Sequence, residues 1–263
     1  MEIPFSRWYA AIAVRRSRRR FDPRPMETAL AERLNSMCRE FRPFPGARAV
    51  LVNGCPEKIF RGAVGGYGSI KGAPAFIAFI GDTGDPHINE KVGYTGEGVI
   101  LEATALGLAT CWVGAFFRPE LAASLTGASK KEKVLAVTPV GRAAEGYTLE
   151  ERIMAGFGRN HRRRPLAEMA SGLKENNRPH WMKAALEAAR LAPSAVNRQP
   201  WQFELDGGGI TVSVDSLKDS YSISRRLDCG IAMLHLEVAA LDCGAPGSWR
   251  LLESPRVARF TPL

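Results

Sequence analysis

Cysteine is scarce and unpaired in this sequence. The five thiols (Cys38, Cys55, Cys111, Cys229, Cys243) are odd in number and widely spaced, with no CxxC among them. That excludes a disulfide framework and points to reduced thiols in a cytoplasmic setting. Long apolar runs are missing as well. Ala73–Ile80 is the longest worth noting, far short of the ~20 residues a membrane helix needs, so no membrane partner is expected. Trp8–Val14 is a brief apolar stretch with arginines after it rather than before it, which is not the order of a secretory signal. The four histidines (His87, His161, His180, His235) show neither HExxH nor any paired spacing, so no metal is expected. No GxSxG elbow exists, which excludes the common serine hydrolases. The glycine-rich stretch Gly62–Gly72 lacks the strand-to-helix setting of a dinucleotide fingerprint and reads as a loop before a strand.

Acidic residues are in deficit: 27 against 36 Lys and Arg, for a net charge of +9 over 263 residues. With 45% hydrophobic and 24% charged residues the chain is globular and can bury a core, as one large domain or two small fused ones. The positive charge is clumped. Arg15, Arg16, Arg18, Arg19 and Arg20 stand within six positions, and Arg159, Arg162, Arg163 and Arg164 within another six, around His161. Such clusters suit a solvated surface, a phosphate ligand or nucleic acid, in that order. No zinc-finger spacing, RNP aromatic motif or basic-zipper heptad supports the third, so no nucleic-acid partner is expected.

Ser6 is placed to cap a helix through Val14 that delivers the first arginine cluster at its C-terminus. A break at Asp22–Pro25 precedes a helix over Thr28–Cys38. Strands are expected at Ala49–Val52, Ala75–Ile80 and Val134–Val140, with a buried helix over Gly98–Leu108 and an irregular basic stretch over Arg152–Pro165. The second half starts again: a helix over Trp181–Leu191, strands Gln202–Leu205 and Ile210–Val214 joined by a hairpin at Asp206–Gly209, and an apolar helix over Leu227–Leu241. Leu101–Leu106 and Leu236–Leu241 share Leu, Glu, Ala and Leu in place at an offset of 135, which suggests that the halves are copies.

Three segments carry chemistry. Arg15–Phe21 flanks a serine hydroxyl with guanidinium groups, which suits phosphate, or is a surface basic run. Ala192–Trp201 (APSAVNRQPW) stops a helix at Pro193 and then offers Ser194, Asn197 and Gln199 within a few residues, enough to hydrogen-bond a heteroaromatic edge, or is a capped loop. Gly107–Ala115 leaves a buried helix through a glycine turn whose N–H groups could face a ligand, or simply ends that helix.

Together these segments resemble the FMN-dependent nitroreductase superfamily, and Gly93–Phe117 looks like its fused putative nitroreductase branch. The resemblance implies an α+β, nitroreductase-like fold. Each of two tandem half-repeats, residues 1–165 and a shorter 166–263, would carry a sheet flanked by helices, and the two would join as an intrachain pseudo-dimer. Ordinary members carry the Ala-Pro-Ser segment between the other two motifs and form homodimers; this chain carries it last. Phe41–Arg48 holds its place in the first half, and Glu175–His180 holds the place of the Arg-Arg-Ser motif in the second. Each half thus keeps what the other lacks, which implies one FMN site. By resemblance, Arg15, Arg16, Ser17 and Arg19 would hold the phosphate and ribityl chain, with Arg163 or Arg164 completing the phosphate seat. Trp112, Val113, Gly114 and Ala115 would lie along the flavin edge. Pro193, Ser194, Ala195, Asn197 and Gln199 would contact it from the other half.

No side chain need act as a catalytic acid, because the flavin N5 does the chemistry. NADH or NADPH would reduce FMN, and a small-molecule electron acceptor such as a nitroaromatic or quinone would take the hydride in ping-pong fashion. The chain would be a monomeric pseudo-dimer or a homodimer. Two other readings stay open: a degenerate flavin-binding or flavin-free remnant without reductase activity, and a nucleic-acid binder.

Overall fold

The computed structural model describes residues 1–54, 57–60, 70–146, 162–219 and 222–263. Most of the glycine-rich stretch Gly62–Gly72 and of the basic stretch Arg152–Pro165, including Arg159 and His161, lies outside these residues, as does Cys55. Helix α1 (Phe5–Val14) starts behind Pro4 and no side chain caps it; Ser6 lies inside its first turn. Its position is set instead by Trp8, Ala11 and Ile12, whose i, i+3, i+4 spacing makes one buried face. Helix α2 (Thr28–Glu40) buries Leu34, Met37 and Cys38 in the same way.

Strands β1 (Ala47–Asn53), β2 (Ala75–Asp82), β3 (Ala109–Thr110) and β4 (Glu132–Gly141) form an antiparallel sheet in the order β1-β2-β4-β3. β2 is apolar throughout because both of its faces are covered. Ala75, Ile77 and Phe79 face the main core, while Phe76, Ala78 and Ile80 meet Phe60, Phe117 and Ala122 of helix α4 (Pro119–Thr126). Helix α3 (Ile88–Ala105) precedes β3. It begins ten residues before the expected Gly98; Gly93 and Gly96, which disfavour a helix locally, lie in that added stretch and, with Gly98, are contact residues. A methyl at each would strike Leu227 O, the Trp112 ring and the Phe41 ring respectively.

The second half holds β5 (Ala170–Gly172), α5 (His180–Arg190), β6 (Trp201–Asp206), β7 (Gly209–Val214), α6 (Arg225–Asp242), β8 (Gly247–Leu251) and β9 (Arg256–Pro262). Its sheet runs β5-β6-β7-β9-β8, with β5 parallel to β6 and the rest antiparallel. Apart from α4, inserted between β3 and β4, the series α2-β1-β2-α3-β3-β4 and α5-β6-β7-α6-β8-β9 repeat one order, and the strand arrangements β1-β2-β4-β3 and β6-β7-β9-β8 coincide.

Helices α3 and α6 are each 18 residues long and are offset by 137. The bonds that end α3, from the N–H groups of Leu106, Gly107 and Leu108 to the carbonyls of Glu102, Thr104 and Ala103, recur at that offset. They run from Cys243, Gly244 and Ala245 to Ala239, Leu241 and Ala240. Gly107 and Gly244 both supply the positive φ (74° and 71°) that stops such a helix. The offset of 137 replaces the 135 of the sequence match, since two Ala- and Leu-rich helices align by letter two residues out of structural register. The helices pack directly on each other. A Cβ on Gly93 would stand 2.1 Å from Leu227 O, and one on Gly230 would stand 2.1 Å from Glu90 O. These two contacts exchange under the 137-residue offset, as a twofold relation between the helices requires.

Candidate functional site

Arg15 caps α1, and the chain then runs extended beside β3. Ser17 forms a parallel bridge with Thr110, and the Arg18 N–H donates to Thr110 O at 2.9 Å. The arginine run is thereby laid two residues from Trp112. The Arg15 guanidinium is buried, with the Ser17 hydroxyl 3.5 Å from Nη1. Arg16 turns back to donate to the carbonyls of Ala13 and Arg15, and the Arg19 carbonyl accepts from the Lys71 N–H.

The Ala-Pro-Ser segment begins at the end of α5, with Ala192 and Pro193 buried. Its polar side chains grip the second arginine cluster. Asn197 Oδ1 accepts from Arg163 Nη1 at 2.7 Å, and Asn197 Nδ2 donates to Arg162 O at 3.1 Å. Gln199 Oε1 accepts the Arg164 N–H at 2.8 Å, its Nε2 donates to Arg162 O, and the Arg164 guanidinium reaches Gln199 O. Ser194 Oγ accepts the Gln199 N–H at 2.9 Å, closing the turn. Arg163 also donates to Leu191 O at 2.9 Å.

The two clusters meet. Burial pushes the Arg163 guanidinium down to about 10, and Arg15, Arg190 and Arg16 push it the same way. Burial likewise lowers Arg15, with Glu97 opposing. Among the described residues neither Arg15 nor Arg163 pairs with a carboxylate; their bonds go to Ser17, Asn197 and Leu191 O. Two desolvated guanidinium groups in each other's field form a seat for an anion.

The turn Trp112–Ala115 closes the other side. The Trp112 ring lies 4.6 Å from the Phe79 ring, and its indole N–H donates to Glu97 at 2.7 Å. Val113 exchanges both backbone bonds with Val137 on β4, so its N–H is spent inside the sheet. The N–H groups of Trp112, Gly114 and Ala115 have no protein acceptor among the described residues and are the donors this turn can offer. A Cβ on Gly114 would stand 3.0 Å from Ile223, whose carbonyl accepts from Arg198. Arg198 pairs with Asp228, which also accepts the Ala195 N–H. Turn and motif therefore face each other across the junction of the halves.

Glu97, Arg198, Asp228 and His235 belong to this network and were not read from the sequence. Glu97 lay one residue before the expected start of its helix, Arg198 sat between the polar positions singled out in its motif, and the other two stood on a helix read only as apolar. The equivalent place in the first half, after α2, is filled. Phe41 lies over Gly98, edge-on to Trp8 at 5.2 Å and stacked with Tyr94, which also meets Phe44. Among the described residues no group of His, Cys, Asp and Glu side chains could hold a metal, and no helix is long and apolar enough to cross a membrane.

Val196, Asn197 and Gln199 all have positive φ, and Val196 (φ 47°) is half exposed. A β-branched residue there carries strain of ~1–2 kcal/mol. Val196→Asn, which suits that conformation, should raise the melting temperature by a few degrees. An unchanged or lower value would show the turn to be unstrained.

Asp228 supplies a pH dependence. Burial pushes its carboxyl up to about 6 against the pull of Arg198 and the Ala195 N–H. The native state therefore binds this proton more tightly than the unfolded chain does. The resulting stability is complete below about pH 4 and is lost as the pH rises through about 6, a change of ~3 kcal/mol. Urea unfolding at pH 4.5 and 7 should show a larger loss for the wild type than for Asp228→Asn; equal losses would contradict it.

A family described as Putative TM nitroreductase matches residues 7–240 of the chain. Among solved structures, a putative nitroreductase from Thermotoga maritima MSB8 is similar at 20% identity over 97% of this chain and 93% of that one, with a TM-score of 0.65. The fold they share is α+β, with two sheets flanked by helices. A nitroreductase family protein from Clostridium difficile 630 is similar at 21% identity, over 64% of this chain and 98% of that one, with a TM-score of 0.46. A nitroreductase with bound FMN from Bacteroides fragilis NCTC 9343 is similar at 19% identity, over 54% and 91%, with a TM-score of 0.44. No curated protein matches the sequence.

Proposed function

Since the chain belongs to the Putative TM nitroreductase family, we propose that it is an FMN-dependent oxidoreductase built as an intrachain pseudo-dimer of residues 1–165 and 166–263 with one flavin site. The observation that carries this reading is the meeting of the buried Arg15 and the half-buried Arg163 from the two arginine clusters, neither of which is ion-paired to a carboxylate among the described residues. A ligand phosphate suits that seat: it supplies the missing charge and accepts several N–H bonds at once. Arg15, Arg16, Ser17 and Arg19 hold the phosphate and ribityl chain from the first half. Arg163 closes the seat, oriented by Asn197, and Arg164 is fixed by Gln199.

The ring edge lies along Trp112–Ala115, where Gly114 and Ala115 present N–H groups. The strained turn of Pro193, Ser194 and Ala195 supports it from the second half. Asn197 and Gln199 act on the arginine segment, which gives them a positioning task in place of direct ring contact. FMN, when bound, supplies hydride transfer from NADH or NADPH to an electrophilic acceptor such as a nitroaromatic or quinone. The repeated element order and the reciprocal Gly93 and Gly230 contacts support the pseudo-dimer. Phe41 over Gly98 supports a single site.

The test is the visible spectrum of the purified protein with and without added FMN, followed by NADH and NADPH oxidation with and without menadione or a nitroaromatic. A yellow protein holding one FMN per chain, which oxidises a nicotinamide only when the acceptor is present, is the expected result. A colourless protein that rejects FMN would leave a flavin-free relative of the family.

A further inference from the structure

His235 and Glu97 are both fully buried, on α6 and α3 respectively, and they touch the two sides of the candidate site. The Ala188 carbonyl, 3.0 Å from His235 Nδ1, can only accept, so Nδ1 carries a hydrogen. Nε2 then faces Glu97 Oε1 at 2.9 Å, close enough that a hydrogen lies between them. The other Glu97 oxygen accepts the Trp112 indole N–H at 2.7 Å. One side chain on α6 thus reaches the Trp112 turn through Glu97. It also holds the last turn of α5, which leads directly to Leu191, whose carbonyl takes Arg163. Every bond in this chain is internal, so its cost in desolvation is offset only if all its members stay in place.

We propose that His235 is a positioning residue: with Glu97 it sets the distance and orientation between the Trp112–Ala115 turn and the Arg163 seat. This rests on the flavin reading for its effect on ligand affinity. The second half has a comparable link that serves as an internal control, with Glu237 accepting from Trp249 and Tyr94 beside the filled Phe41 site.

The experiment compares His235→Phe, Glu97→Gln, Tyr94→Phe, Trp112→Phe and the double variant His235→Phe/Trp112→Phe. FMN affinity is read by fluorescence titration, and amide hydrogen exchange of residues 111–116 is read in flavin-free protein. His235→Phe keeps ring volume and loses both bonds; it should weaken FMN by about tenfold or more and speed exchange in 111–116. Glu97→Gln can still accept from Trp112 and donate to Nε2, so exchange in 111–116 should stay within about threefold of wild type; its FMN affinity is set aside, because the Glu97 charge also acts on Arg15 and Arg163. Tyr94→Phe should leave both readouts unchanged. The double variant should be no weaker than the worse single one, because both break the same link.

Additive losses, unchanged exchange in 111–116 with His235→Phe, or exchange in 111–116 sped as much by Glu97→Gln as by His235→Phe would each overturn the proposal. If His235→Phe does not fold, His235→Asn, which keeps an N–H toward Ala188 and falls short of Glu97, carries the same expectations. If the wild type binds no FMN, the flavin reading fails, and the exchange measurements still decide whether His235 holds the turn.

Discussion

Arg15→Met should strip the protein of FMN and at the same time raise the melting temperature of the flavin-free chain. The two effects have one cause. The Arg15 guanidinium is buried beside Arg163, with no ion-paired carboxylate among the described residues, so in the free protein it is a desolvated charge near a like charge, offset only in part by Glu97. An unlinked apolar side chain of similar length removes that penalty, a gain of ~1 kcal/mol or more. The same change deletes charge-assisted bonds to the ligand phosphate, each worth ~1.5–3 kcal/mol, so affinity should fall about 10- to 100-fold. Arg163→Met should behave alike, and the double variant should lose more than about 100-fold. Inorganic phosphate should raise the melting temperature of the wild type and leave the double variant unmoved, because only a ligand that binds the native state shifts it. Loss of stability together with loss of binding would instead mark Arg15 as part of the framework.

Gly230→Ala should lower the melting temperature by roughly 6–12 °C, the change expected of a loss near 3 kcal/mol in a chain of this size. In an ordinary helix the same substitution would stabilise by ~1 kcal/mol. The sign reverses because the new methyl would meet the Glu90 carbonyl, carbon and Cα, at 2.1 to 2.8 Å, and backbone cannot swing aside as a side chain can. Gly93→Ala should do the same from the opposite helix. Gly207, with nothing within 4 Å of its Cβ position, provides the control: Gly207→Ala should melt near the wild-type temperature. A Gly230→Ala protein as stable as the wild type would mean that α3 and α6 have room between them.

Composition and short motifs carried much of this structure. The apolar spacing of α1, α2 and α5 and the alternation of β6 were legible because each is decided by one buried face, and β7 was legible through the hairpin turn that joins it to β6. The start of α3 was not, since Gly93 and Gly96, which speak against a helix locally, are demanded by contacts with Leu227 and Trp112, far away in the sequence. α4, β8 and β9 were also missed; β8 and β9 lie after the Gly244–Gly247 breaks, where propensity gives little guidance and pairing with β7 decides the outcome. In the site, the arginine run and the Ala-Pro-Ser segment were visible as motifs. The partners that hold them, Asp228, Glu97 and His235, are ordinary letters on buried helices and acquire a role only when two halves of the chain come together.

Phe41 over Gly98 has a consequence for descent. Any side chain at position 98 would collide with the Phe41 ring, and trimming Phe41 would open a void among Trp8, Phe44 and Tyr94. Either first step lowers fitness through stability before a second could recover it, so the closed half stands behind a valley that single mutations do not cross. On the pseudo-dimer proposal the first half is a scaffold that lends arginines to its neighbour, and its closed place is not reopened by any single reversal.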